Sequence, residues 1–154
     1  MRTVHVIEAG KTPAPAKVVG ETITILAGGD LTKPFEVHIQ EGVQGGGPPL
    51  HFHPWDEAFY VIDGQVEVTV EGQSTTLSTG GYVHIPAGSI HAYKNISPTA
   101  KMIGVVSDPR GGQLFAALDQ LKVPEDLPRI LEISEGFGVT FLLSSPDIPP
   151  TPSG

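Results

Sequence analysis

The sequence predicts an all-β fold, an antiparallel sandwich or barrel followed by short helices. Three observations carry that expectation. Short β-favouring runs punctuated by Gly, Pro, Asn or Asp follow one another from residue 22 to about 107. Several of them alternate apolar and polar residues. Finally, 19 Gly and 15 Pro stand among 154 residues, close to twice the usual share of about 12 % for the two together, which disfavours a helical bundle.

The runs lie at 22–27, 35–40, 58–62, 65–70, 74–77, 82–85, 91–95 and 101–106, each too short for a helix. In the run QVEVTV, Val66, Val68 and Val70 share one face and Gln65, Glu67 and Thr69 the other, as in a sheet with one buried side. Asp63-Gly64 and Glu71-Gly72 fall where tight hairpin turns are needed, so consecutive strands are expected to pair antiparallel. Beyond Ser107 the texture changes. Leu114, Phe115, Leu118 and Leu121 recur as on one helical stripe, expected to bury against the outside of the sheet, although Phe115 and Leu118 could also cap a barrel mouth. A second helix is expected from Pro124 to the stops at Gly136 and Gly138, with Pro128 counting against it, and the Pro-rich end, 145–154, reads as an extended tail.

Composition bounds the function. Nine Lys+Arg against 17 Asp+Glu give a formal charge of −8, and a pI near 5.1; such a chain repels a phosphate backbone, so nucleic acid is not an expected partner. With no cysteine, a thiolate metal site, a thiol nucleophile and a disulfide framework are excluded. No stretch approaches a membrane span or the apolar core of a signal peptide, which leads to the expectation of a cytoplasmic protein without a membrane partner. Hydrolytic chemistry finds no support, since the acidic residues after Asp108 are scattered and no Gly-x-Ser-x-Gly elbow is present.

The chemistry lies in His51, His53, Glu57 and His91. Residues i and i+2 of a strand point the same way, so His51 and His53 can present imidazoles to one point while Phe52 faces away. Were the chain to stay extended, Glu57 would lie some 20 Å from His51 at about 3.3 Å per residue, whereas a metal–ligand bond is about 2 Å. Pro54-Trp55-Asp56 must therefore turn the chain, returning Glu57 on the next antiparallel strand with Phe59 and Val61 on its face. Three imidazoles and one carboxylate suit one divalent transition metal ion, with Fe, Mn, Ni, Cu and Zn all compatible, and an octahedral ion would keep two positions open.

These residues fall into two motifs that resemble those of the cupins. The first, G-x5-H-x-H-x3–4-E-x6-G, is matched by Gly45, His51, His53, Glu57 and Gly64, and the second, G-x5-P-x-G-x2-H-x3-N, by Gly80, Pro86, Gly88, His91 and Asn95, with 15 residues between them. The resemblance implies a double-stranded β-helix, or jelly-roll barrel, over about 22–107 within one domain, 1–154, and a metal held by His51, His53, Glu57 and His91 inside one mouth. Within the superfamily the stretch PPLHFHPWDEAFYVIDG looks most like the small single-barrel proteins similar to quercetin 2,3-dioxygenase. That likeness implies a metal-dependent dioxygenase acting on a small enol, catechol or flavonol-like compound, with Glu57 as ligand and transient base. The alternatives are a non-catalytic metal-containing barrel that binds or senses a small molecule, and isomerase or lyase chemistry on the same site. A homodimer is expected, because exposed strand edges are commonly covered by pairing.

Around the ligands, Phe59, Val61 and Tyr93 are expected to wall a substrate pocket, Tyr93 because it shares a face with His91, with a place in the core open to Phe59 and Val61 and that of an ordinary barrel aromatic with a paired hydroxyl open to Tyr93. Asn95 has the same parity, and lining the cavity and capping a turn both remain open to it. Trp55 is placed either at the mouth or between subunits. His38 alternates with Phe35, Val37 and Ile39 and is expected to be solvated, as are His84 and His5.

Overall fold

The computed structural model describes residues 4–143. Eleven strands and three helices occur among them in the order β1 (Ala16–Val18), β2 (Glu21–Ala27), α1 (Gly29–Thr32), β3 (Glu36–Val43), β4 (His51–Phe52), β5 (Glu57–Asp63), β6 (Gln65–Val70), β7 (Gln73–Ser78), β8 (Tyr82–Ile85), β9 (His91–Asn95), β10 (Thr99–Val106), α2 (Gly111–Leu118), α3 (Leu127–Gly136) and β11 (Thr140–Phe141). A six-stranded sheet runs β1-β2-β3-β10-β5-β8 and a five-stranded one β11-β4-β9-β6-β7. Every pairing is antiparallel. This is the jelly-roll barrel that the sequence predicts. The Pro-rich tail expected at 145–154 lies outside the described residues.

The two expected hairpin turns behave differently. At Glu71-Gly72 both residues have positive φ, 49° and 77°, and β6 pairs in full with β7, as a tight primed turn requires. Asp63-Gly64 instead carries the chain from β5 in one sheet to β6 in the other, where β5 pairs with β10 and β8. Gly64 is needed at that crossing for lack of room, since a Cβ there would stand 2.4 Å from the Thr99 carbonyl oxygen.

The barrel interior is packed by Phe59, Val61, Val66, Val68, Ile85, Tyr93, Ala100 and Met102. Each large apolar side chain there contributes about 1.5–3 kcal/mol by burial. A second cluster joins Trp55 and Val106 to Leu114 and Leu118 of α2, Ile130 of α3, and Val139. Pro128 sits in the first turn of α3, where its missing N–H costs nothing. At the start of α2 no side chain of the helix caps it; the Gly112 N–H is taken up by the Glu36 carboxylate of β3.

Strand β3 corrects the reading of His38. Its polar residues face inward: Glu36 and His38 are fully buried and Gln40 nearly so, while Phe35, just before the strand, is 40 % exposed. Alternation reports which residues share a face and leaves open which face is inside; in this barrel the interior includes polar positions. His84 is exposed, as expected, and meets Asp56 at 3.3 Å; His5 is exposed as well.

Candidate metal centre

Two short strands of one sheet and the first residue of a strand in the other bring the ligand set together. His51 and His91 are cross-strand partners on β4 and β9, with ring centroids 4.2 Å apart. His53, two residues beyond His51, lies 5.6 Å from it and 4.8 Å from His91, centroid to centroid. Glu57 opens β5 in the other sheet, with Oε2 at 3.3 Å from His53 Nε2 and 3.2 Å from His91 Nε2. The segment Pro54-Trp55-Asp56 thus crosses between sheets, and Glu57 meets the imidazoles across the interior; the expected return on the next antiparallel strand does not occur. One ligand atom from each of the four residues lies within 4.8 Å of every other, close to the 3–4 Å that separates atoms each about 2 Å from a shared ion.

The proton arrangement decides whether an ion fits. Each Nδ1 is tied to a backbone carbonyl: His51 to Pro49 at 2.8 Å, His53 to Trp55 at 3.0 Å and His91 to Ser89 at 2.9 Å. A carbonyl can only accept, so Nδ1 carries the proton in all three rings, and in the neutral imidazoles Nε2 is a bare lone pair. The Nε2 atoms of His53 and His91 then face a carboxylate oxygen, acceptor against acceptor, an arrangement stable only with a cation among them. A proton can serve: burial lowers the His91 pKa, but contacts with Glu57 and the Ser89 carbonyl together raise it. A divalent ion serves all four residues at once, and this donor set fits one.

Burial governs the remaining electrostatics. It lowers the His51 pKa to about 4, helped by the neighbouring His91, so this ring is neutral and ready to ligate across the neutral range. For Glu57 burial works upward, but the close approach of the His53 and His91 rings prevails and holds the carboxyl below the usual range. Trp55 is stacked on His53 at 4.5 Å and 9°, and Phe141 of β11 packs against His51 at 5.4 Å. Trp55 is buried within the chain, 8 % exposed, which places it in the wall beside the ligands.

A cavity of about 710 Å³ adjoins the centre, lined among others by His51, His53, Glu57, Phe59 and Tyr93, a volume suited to a small organic ligand. Of the two places open to Val61, pocket wall and core, it takes the core and leaves the wall to Phe59 and Tyr93. It is fully buried and packed in the barrel core, because that interior is filled at its level. Helix α2 lines the cavity with Leu114, Phe115 and Leu118, and α3 with Ile130, so the expected docking on the outer sheet surface gives way to a wall of the cavity. Glu21 and Gln40 also line it. Neither stood out in the sequence, where Glu21 precedes the run at 22–27 and Gln40, closing the run at 35–40, shares with His38 the face expected to be solvated.

A jelly-roll barrel holding three imidazoles and one carboxylate at a shared point in its interior defines a cupin with a metal-binding ligand set. Residues 35–106 match the cupin domain family model Cupin_2, and the chain is a member of the cupin superfamily. It is similar to the quercetin 2,3-dioxygenase of Bacillus subtilis, 30 % identical over 100 residues that make up 64 % of this chain and 30 % of the relative. It is also 33 % identical over 57 residues to an uncharacterized Streptomyces coelicolor protein, 37 % of this chain and 54 % of that one. The matches thus span from under a third to about half the length of these relatives. Among solved structures, KdgF from Halomonas sp. superimposes with a TM-score of 0.65 at 23 % identity, over 72 % of this chain and 99 % of that one. An RmlC-like cupin from Shewanella frigidimarina gives 0.63 at 18 % identity, over 73 % and 99 %. At those identities the structures speak for the fold.

Proposed function

We propose that the protein is a metal-dependent dioxygenase acting on a small enol, catechol or flavonol-like compound. The observation that carries the reading is the convergence of three Nε2 lone pairs and the Glu57 carboxylate beside an apolar-walled cavity. Similarity to the Bacillus subtilis enzyme supports the substrate class. A divalent ion bound there would supply Lewis acidity toward a chelating hydroxyl and two coordination positions beyond the four protein ligands. Glu57, ionised at neutral pH, accepts the proton that hydroxyl gives up. The carbonyls of Pro49, Trp55 and Ser89 fix the three imidazole planes, and Phe59, Leu114 and Phe115 keep water from the reacting end.

The test is incubation of metal-loaded protein with a panel of flavonols, catechols and β-diketones, with and without dioxygen. Consumption that requires dioxygen is the expected result. Product formed at an undiminished rate under anaerobic conditions overturns the oxygenase reading and points to isomerase or lyase chemistry. Saturable binding across the panel with no turnover overturns the enzymatic reading.

A further inference from the structure

The cavity has a second polar wall that takes no part in the ligand set. Beyond His91, strand β9 presents Tyr93 and Asn95 on the same face, both buried. Asn95 Nδ2 donates to Glu21 Oε1 at 2.9 Å, and Gln40 Nε2 donates to the Tyr93 hydroxyl. Glu21, Gln40 and Tyr93 line the cavity. The chain has built room for this group: a Cβ on Gly42 would come within 1.9 Å of Glu21 Oε1, and one on Gly46 within 2.5 Å. Asn95 is pinned in turn by its neighbours, its N–H donating to the Gly46 carbonyl and its own carbonyl accepting from the Gly45 N–H, each at 2.8 Å.

One atom of this wall is unused. Glu21 is 5 % exposed; its carboxyl lies within reach of the Tyr93 hydroxyl as well as Asn95, and its Oε2 is buried with no hydrogen bond of good geometry. Buried polar atoms are nearly always paired, and an unpaired oxygen on a residue that lines a cavity is completed when a ligand supplies the donor. The geometry also sets a distance. Asn95, which holds Glu21, stands four residues beyond His91, about 13 Å along β9 at about 3.3 Å per residue.

We propose that Glu21, held by Asn95 and flanked by Gln40 and Tyr93, is a second recognition pole of the cavity that accepts a hydrogen bond from a hydroxyl of the substrate, remote from its chelating oxygens. The inference rests on the reading that the substrate chelates at the metal centre, and it narrows the substrate to an elongated molecule with oxygens at one end and a hydroxyl donor at the other. A single catechol ring is too short to engage both poles.

The test uses probes whose attachment to an open metal position does not depend on the natural substrate. Biphenyl-4-hydroxamate and its 4′-hydroxy counterpart, bidentate at one end and differing by one hydroxyl at the other, are titrated calorimetrically into zinc-loaded protein. The expected result is about tenfold tighter binding of the hydroxylated probe by the wild type, with the ratio falling to near one in E21A. Where E21A melts too early to titrate, E21Q is read in its place; it must also lower the ratio, since its amide puts an N–H where the carboxylate has an unpartnered oxygen. Equal affinities in the wild type, or an undiminished ratio in the Glu21 variants, overturn the second pole and leave the metal reading standing. Failure of both hydroxamates to bind the loaded wild type overturns the chelation reading and the second pole together.

Discussion

His51 and His91, 40 positions apart in the chain, face each other as cross-strand partners with rings 4.2 Å apart. Strand β4, which carries His51, is only two residues long and is held between β9 and β11. The pair therefore ties two distant parts of the chain together, and an ion held between them would couple metal binding to the folding of both. We expect H51A and H91A each to lower metal affinity at least about tenfold, the low end of what the loss of even an outer-shell partner costs, and to lower the melting temperature of the metal-loaded protein. Elemental analysis with thermal unfolding checks both; full metal occupancy in the two variants contradicts the ligand assignment.

The depressed pKa of His51 sets a pH dependence for the metal-free protein. Its folded-state value, about 4, lies below the unfolded 6.5, so between these limits the unfolded chain binds a proton that the folded chain refuses, and stability falls as pH drops through that window. The size is on the order of 3 kcal/mol, at about 1.4 kcal/mol per pKa unit. His91, with a raised pKa, acts only above 6.5: its contribution is complete below the unfolded value and is lost as pH rises through the folded one. Glu57, with a depressed pKa, loses its contribution only below 4.5. Glu21, raised by burial, works against His51 in part of the same window. The quantity to measure is thus the difference between wild type and H51Q in denaturant unfolding at pH 7 and pH 4.5. The wild type is expected to lose more stability on acidification, and parallel losses would show that His51 is not held neutral.

How far the sequence shows this site depends on which kind of pattern each residue belongs to. The ligand residues could be read because i, i+2 spacing on a strand and an enforced turn before Glu57 are local constraints. Strands β6 and β7 could be read for the same reason, from alternation and a two-residue turn. Asp63-Gly64 carries the same turn chemistry, yet whether it closes a hairpin or crosses between sheets is decided by β10 and β8, far away in the chain. His38 misleads through parity, since Phe35, Val37 and Ile39 look like a core face until the barrel turns Glu36, His38 and Gln40 inward. Glu21 has no local signature, because its role comes from Asn95, 74 residues on.

Buried His38 makes a further expectation. It is the cross-strand partner of Gly104, and a Cβ at 104 would lie 2.2 Å from His38 Nε2. Backbone and ring cannot both keep their places, so G104A is expected to destabilise the protein by about 1–3 kcal/mol, as overpacking does. In an H38A background the obstacle is gone, and the same substitution should cost little. A double-mutant cycle by urea unfolding measures the coupling; a G104A cost that persists in H38A would place the strain elsewhere.

Trp55 makes two contributions that can be separated. Its ring lies flat against His53 at 4.5 Å, and its body belongs to the cluster that joins α2 and α3 to the barrel. Removal of the side chain in W55A is expected to cost about 3–5 kcal/mol of stability. It should also weaken metal binding about tenfold, since His53 loses the surface that orients it while keeping its hydrogen bond to the Trp55 carbonyl. W55F keeps a flat ring of smaller area, so metal affinity should stay near that of the wild type while part of the stability is lost. Competition with a chromophoric chelator gives the affinities and urea unfolding the stabilities. If affinity in the two variants follows stability alone, with W55F intermediate on both scales, the stack has no orienting role and Trp55 is only part of the core.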